Sequence, residues 1–369
     1  MKQFKIFFFL LLSYTAQAND CVFYATGNTL IPLKETTIRL KKEILNLERR
    51  GDWIQVDIYF EFFNPGIERE LTVGFVTPPA DGDVTDEEAK HPFVKDFMVM
   101  LGDRILPYKI ARMSETGFKV NSKAASGYDF VYHFNIKFAP GITIIRHSYL
   151  YKGGGSVEAN KDFDYRLTTG TTWANSGIDD FELNINMGDD SYFTVPASFG
   201  TVAAAWQLAG IGRISKNSPG IPFMGDEGGK LKVVYIRKGK LQLRASNFKP
   251  AQDLSVTFWQ LHNEINLWCD KSVKNDFSGM MDLVWGDSVE STVSQLTDQE
   301  LRLYRNLNYA RVGYDFKDEI LKKAFSKYNW YIPDPALKPE KVPDYYVTQE
   351  LQKLITAEEN RRKGKTNRP

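Results

Sequence analysis

The residues that carry most enzyme chemistry are scarce in this sequence. Its 369 residues include only two cysteines and four histidines. Neither Cys21 nor Cys269 stands near a second Cys or a His at zinc-like spacing, which excludes a zinc module and a disulfide-dense small fold. None of His91, His133, His147 and His262 belongs to a His-Glu-x-x-His pair, and no Gly-x-Ser-x-Gly elbow occurs. Net charge is also lacking: 47 Lys and Arg face 46 Asp and Glu. That balance excludes the basic footprint of a nucleic-acid binder. After the N-terminus no apolar run approaches the ~20 residues of a membrane-spanning helix. Gly153-Gly154-Gly155-Ser156 lacks the Gly-Lys-Ser/Thr ending of a phosphate loop. No internal repeat is visible, and no cofactor is implied.

What is present begins with a leader. Lys2 and Lys5 precede the apolar run Ile6 to Leu12, and Ala16-Gln17-Ala18 offers a signal peptidase its small residues. Residues 1–18 therefore read as a signal peptide. The mature chain is expected to start near Asn19, without a transmembrane segment, in the periplasm or outside the cell. Asn19-Asp20 before Cys21 lack the small residues of a lipidation site. In an oxidising compartment two cysteines suggest one disulfide, Cys21 to Cys269, closing a loop of 248 residues. Such a bridge is worth roughly 5 kcal/mol in the chain-entropy picture. Two separate thiols are the alternative.

From residue 35 to about 260 the pattern alternates every second residue. Ile54, Val56, Ile58, Phe60 and Phe62 are one such series; Phe130, Tyr132, Phe134, Ile136 and Phe138 are another. Phe181, Leu183, Ile185 and Met187, then Leu254, Val256 and Phe258, repeat it. Turn signals fall at Arg50-Gly51-Asp52, Asn64-Pro65-Gly66, Gly102-Asp103, Ala139-Pro140-Gly141 and Lys238-Gly239. Short alternating strands with such punctuation predict a mainly β chain, an antiparallel β-sandwich over 19–290. Pro196 to Gly229, rich in Gly, Ser and Pro, reads as an excursion between strands. Counting outward from Pro140-Gly141 pairs residue 133 with 148, so His133 and His147 would face opposite sides of one sheet.

Beyond residue 294 the period becomes helical. Thr297 and Glu300 form a capping box, and Leu296 with Leu301 a hydrophobic staple. Leu303, Leu307 and Ala310 continue the stripe to a stop at Gly313. A second helix is expected over Lys317 to Tyr328, with Ile320, Leu321, Ala324 and Phe325 inward. A third runs from Thr348 to about Arg362, with Leu351, Leu354 and Ile355 on one side. The expectation is a small all-α module over 294–362, with a disordered basic tail over 363–369.

This segment resembles the YARHG domain, a small extracellular bacterial module. Leu301 to Asn306 match its lead-in, and Tyr309-Ala310-Arg311-Val312-Gly313-Tyr314-Asp315-Phe316 match its signature. Val312 stands where the family has His. Trp330-Tyr331-Ile332-Pro333 match its Trp-Tyr-x-Pro element. The family has no established activity, so the resemblance implies an accessory binding or packing role. The β-region resembles a second family, secreted bacterial proteins of unknown function. It does so through Asn19-Asp20, Val56 to Asn64, Val73 to Pro79, Tyr165 to Trp173, Asp180-Phe181 and Asn247 to Pro250. That resemblance implies export and a β-rich fold and offers no chemistry.

Two aromatic positions are candidates for recognition. Trp173, in a polar glycine-bearing stretch, would stack on a sugar face if exposed and plug the sandwich if buried. Tyr309, Arg311, Tyr314, Trp330 and Tyr331 would line a groove that stacks and hydrogen-bonds a ligand, or form the small core a 65-residue module needs. No catalytic or metal residue is assigned. Ser246-x-x-Lys249 lacks its companion motifs. The loop of Asp81, Asp83, Asp86, Glu87 and Glu88 lacks EF-hand order, and Asp162, Asp164, Asp179 and Asp180 read as solvated. The expected function is that of a secreted or envelope-associated, non-enzymatic protein binding a cell-envelope glycan or protein. Two alternatives stand beside it: a carboxylate-dependent hydrolase of envelope polysaccharide, and a structural part of a secreted assembly.

Overall fold

The computed structural model describes residues 29–32, 37–77, 94–116, 130–152, 154–155, 160–200, 203–215, 230–259, 288–328, 330–338, 340, 344 and 347–366. Its strands are β1 (Thr29–Pro32), β2 (Arg39–Arg50), β3 (Trp53–Asn64), β4 (Arg69–Thr77), β5 (Val94–Leu101), β6 (Arg104–Ile105), β7 (Lys109–Arg112) and β8 (Phe130–Phe138). They continue as β9 (Gly141–Tyr151), β10 (Gly154–Gly155), β11 (Asn160–Tyr165), β12 (Ile178–Asn186), β13 (Ser191–Pro196), β14 (Gln207–Ile214), β15 (Leu231–Phe248) and β16 (Leu254–Trp259). Among the described residues four helices follow: α1 (Val289–Gln295), α2 (Asp298–Arg311), α3 (Glu319–Phe325) and α4 (Gln349–Thr366). No helix among the described residues is long and apolar enough to cross a membrane.

The chain is mainly β, as its alternation predicts. A four-stranded sheet, β1-β4-β8-β7, packs on a twelve-stranded sheet, β10-β11-β16-β13-β15-β12-β2-β3-β9-β5-β6, with β14 on the other edge of β15. Among the described strands pairing is antiparallel except between β2 and β12, which run parallel. The predicted inward residues of β3 are all buried. Its hairpin to β2 turns at Gly51, whose φ of 64° suits glycine.

Pro140-Gly141 is a corner between the two sheets, not a hairpin. β8 pairs with β4 and β7, whereas β9 pairs with β3 and β5. The physical reason lies in the inward residues. Tyr132, Phe134, Ile136 and Phe138 on β8, and Ile145, His147, Tyr149 and Tyr151 on β9, are two full apolar faces. They cover each other across a sandwich, and the Phe134 ring lies 5.8 Å from His147. Phe75 on β4 meets Phe97 on β5 and Tyr149 on β9 in the same way. Asn64 ties this corner to the one after β3: its Nδ2 donates to Ile67 O at 2.7 Å and Phe138 O at 2.8 Å.

Lys238-Gly239 is likewise not a turn but a bend inside β15. Gly239 (φ 112°) faces Gly210 (φ 136°) of β14, and a Cβ on either would lie 2.1–2.2 Å from a carbonyl oxygen. β14 occupies part of the excursion expected between residues 196 and 229. On the opposite edge of β15, β12 and β13 lie end to end, separated by Gly188 and Asp190 at positive φ. The large sheet divides here. The branch through β13, β16 and β11 folds back over the other, bringing Phe163 5.3 Å from Tyr151 and Arg49 over Phe258.

In the helical module α2 starts on the expected capping box, with Thr297 and Glu300 bonded reciprocally. Gly313 follows its end at φ 80°. α3 is shorter than expected: Asp318 caps its start, accepting from Ile320 N and Leu321 N, and it ends at Phe325. Two turns bury only Leu321, Ala324 and Phe325, and Ile320 is 59% exposed rather than inward. α4 continues to Thr366, beyond the boundary expected for the tail. α1 has no counterpart in the sequence reading. Buried Asn308 fastens the approach to α4, donating to Val347 O at 2.7 Å. The module's core takes in Tyr192, Val233 and Tyr235 of β13 and β15, so it is built directly onto the β-region.

Candidate functional site

Apart from Tyr309 and half-buried Tyr314, the aromatic positions singled out in the sequence are interior. Trp173 follows a short 3-10 turn (Leu167–Thr172) and is 2% exposed. Its ring lies 4.4 Å from Phe62 of the large sheet and 6.4 Å from Phe138 of the small one, closing the sandwich where the sheets meet. Burying such a side chain is worth roughly 3 kcal/mol. Trp330, Tyr331 and Arg311 are 2%, 1% and 3% exposed. Tyr331 donates its hydroxyl to Tyr314 O at 2.9 Å, and only Tyr309 in this group is exposed.

These residues form a seam. The Arg311 guanidinium stacks 3.9 Å over Tyr192 of β13 and donates to Asp190 O at 2.9 Å. Asp190 pairs with Arg237 of β15. Gly313 sits so close that a Cβ there would lie 2.4 Å from Ile332 O and 2.9 Å from the Arg237 guanidinium. The residual space between Tyr192, Tyr235, Arg311 and Trp330 is about 10 Å³, too little for a ligand. Val312 is buried here, in the position where the family signature has His.

An open cleft of about 680 Å³ lies instead on the outer face of the small sheet. Thr72 of β4 and His133 and Asn135 of β8 supply its floor, and Lys109 and Ala111 of β7 one side. The crossover Leu106-Pro107-Tyr108, with Glu115 and Thr116 after β7, completes the walls. Each polar group is positioned by the register: Lys109 stands opposite His133, and Thr72 Oγ1 donates to Asn135 Oδ1 at 2.8 Å. Glu115 accepts from Arg112 N at 3.0 Å, and Tyr108 is fixed by donating to Phe97 O at 3.1 Å. Apolar surface with a few fixed polar groups is the usual make-up of a small-molecule site. The polar face of β8 was legible in the alternation. The walls were not, because they come from β4, β7 and a crossover distant in sequence.

Burial shifts several titratable groups inside the fold toward their neutral forms. A bulge at Lys41 turns Glu43 into the core, where burial pushes its carboxyl up to about 7 although the Tyr165 hydroxyl donates to it at 3.0 Å. Asp164 is pushed by burial to about 7 against a hydrogen bond from Ser255, and burial raises its neighbour Asp162 as well. These two are therefore buried, not solvated as expected. Asp179 and Asp180 lie on the surface, paired with Lys41 and Lys42. His147 lies among Phe60, Phe75, Phe97 and Phe134, and burial lowers it to about 3. No group of three or more His, Cys, Asp or Glu among the described residues is placed to hold a metal. Ser246 lies within β15 opposite Asp180, and Lys249 lies past the strand's end. Cys21, Cys269, His91, His262 and the carboxylates of 81–88 fall outside the described residues.

Residues 281–359 match the YARHG domain. The match starts ahead of the boundary expected at 294 and takes in α1. Among solved structures the chain is similar to a "putative nutrient binding protein" from Legionella pneumophila, with a TM-score of 0.56 and 19% sequence identity. The similarity covers 92% of this chain and 100% of that one, which leaves too few residues uncovered to omit the helical module. It shows a shared fold. A search of curated proteins gave no match.

Proposed function

We propose that this chain is an exported bacterial binding protein that holds a small envelope-derived or extracellular ligand in the cleft over β4, β7 and β8, without transforming it. The observation that carries the reading is that cleft, whose His133, Asn135, Thr72 and Lys109 converge from rigid strand positions. The leader-like residues 1–18 and the association of the YARHG domain with secreted proteins support export. The name of the Legionella protein, a "putative nutrient binding protein", agrees with a binding role. In this reading the helical module is an accessory that completes the β-region, and Cys21 pairs with Cys269.

The test is a melting-temperature screen of the mature chain against amino acids, sugars, peptides and peptidoglycan fragments. A ligand at a hundredfold its Kd stabilises the fold by about 2.7 kcal/mol. We expect one chemical class to raise the melting temperature of the wild type and not of the double variant His133→Ala, Asn135→Ala. A shift equal in both, or none with any class, overturns the assignment.

A second reading, hydrolysis of envelope polysaccharide, draws on Asp162 and Asp164, which share one face of β11 and are both raised by burial. Turnover abolished by Asp164→Asn would favour it.

A further inference from the structure

A second cleft, of about 690 Å³, opens at the end of the large sheet where β2 and β12 begin and β15 ends. Arg39 enters it from β2, Asn175 and Asp179 from the turn before β12 and its first residues, and Asn247 and Lys249 from the end of β15. Among the described residues its charge is one-sided. The only carboxylate among the described residues of its lining, Asp179, already accepts from three donors: Lys41 at 2.8 Å, Asn175 at 2.9 Å and Arg39 at 3.3 Å. Lys41 thus adds a third cation beside Arg39 and Lys249, and positive charge is left over. Asn175 is fixed, since its Nδ2 donates to Leu40 O at 2.9 Å and its Oδ1 accepts from Leu40 N at 3.0 Å. Asn247 is held at φ 51°, a conformation that asparagine tolerates better than most residues. Two sequence stretches far apart, the residues following Trp173 and the run Asn247 to Lys249, meet here and nowhere in the first cleft.

We propose that this cleft binds the anionic group of a small molecule, a carboxylate or a phosphate, between Arg39 and Lys249, with the amide of Asn247 available to a neighbouring hydroxyl. The site is separate from the cleft on the small sheet. Charge-assisted hydrogen bonds to two cations supply the selectivity, and a neutral analogue forfeits them.

The experiment is titration of the mature chain, by nuclear magnetic resonance, with three hexose probes: glucuronate, glucose 6-phosphate and neutral glucose. One or both anions are expected to bind below about 10 mM, and glucose is not. Binding by glucuronate alone identifies the carboxylate source, and by glucose 6-phosphate alone the phosphate source. The double variant Arg39→Gln, Lys249→Gln should bind about tenfold more weakly, while Arg39→Lys, Lys249→Arg retains binding. A melting curve checks that the variants fold, and Lys249→Gln alone, at an exposed position, serves if the double variant does not. Three outcomes overturn the proposal: equal binding of glucose, no binding of either anion, or anion binding unchanged in the Gln variants. Loss of anion binding in His133→Ala, Asn135→Ala instead would place the anion in the other cleft, refuting this site and leaving that one standing.

Discussion

A methyl group at position 313 has no room. Gly313 holds φ 80°, and its missing Cβ would press on Ile332 O and the Arg237 guanidinium. Gly313→Ala should therefore lose about 2 to 4 kcal/mol in urea denaturation, the backbone penalty and the steric displacement acting together. A change within about 0.5 kcal/mol would show that the seam is looser than described. Glu43 gives a pH signature. It ionises near 4.5 in the unfolded chain and near 7 in the fold. Below 4.5 both states are protonated and its contribution is intact; as pH rises through 7 the fold holds a proton the unfolded chain has shed, and that contribution is lost. The shift is worth about 3 kcal/mol. His147 has the opposite sign, contributing stability above 6.5 that is lost as pH falls through 3. Stability measured against pH, wild type minus Glu43→Gln, should thus decline by about 3 kcal/mol from pH 4.5 to above 7. A flat difference would mean that Glu43 is solvated.

Elements differ in how far local sequence determined them. The Thr297 and Glu300 capping box sits where the sequence placed it, because a cap depends on four consecutive residues. Thr297→Ala should cost about 1 kcal/mol and Thr297→Ser almost nothing, measured by thermal denaturation. Equal losses would show that the cap does not set the start of α2. Buried faces of β3 and β8 were legible for the same reason, since alternation is local. Which sheet a strand joins is not local. The alternating residues of β8 and β9 are compatible with a hairpin or with a corner, and only the need of two apolar faces for each other selects the corner. Gly239 reads as a turn in isolation; its partner across the ladder, Gly210, makes it a bend. The aromatic-plus-Arg cluster was visible in sequence as a groove or a small core, but its partners Tyr192, Asp190 and Arg237 lie over seventy residues upstream, so its role as a seam to the β-region was not. The open cleft went unseen because no motif spans its walls.

At the scale of the whole molecule, β-region and helical module share a core through Tyr192, Val233 and Tyr235. They should unfold in one transition. Arg311→Ala removes the stacking on Tyr192 and the bond to Asp190 O, and should cost about 2 to 4 kcal/mol and split the calorimetric transition in two. One unshifted transition in that variant would mean that Arg311 does not join the parts. Joined in this way, the modules present the cleft over β4, β7 and β8 on a rigid frame, as the proposed binding role requires. The most direct measurement is equilibrium dialysis followed by mass spectrometry, using compounds that raise the melting temperature of the wild type but not of His133→Ala, Asn135→Ala. Such a compound should be retained at one molecule per cleft and recovered chemically intact. Accumulation of a cleaved product, or retention undiminished in the variant, would contradict the proposed binding role.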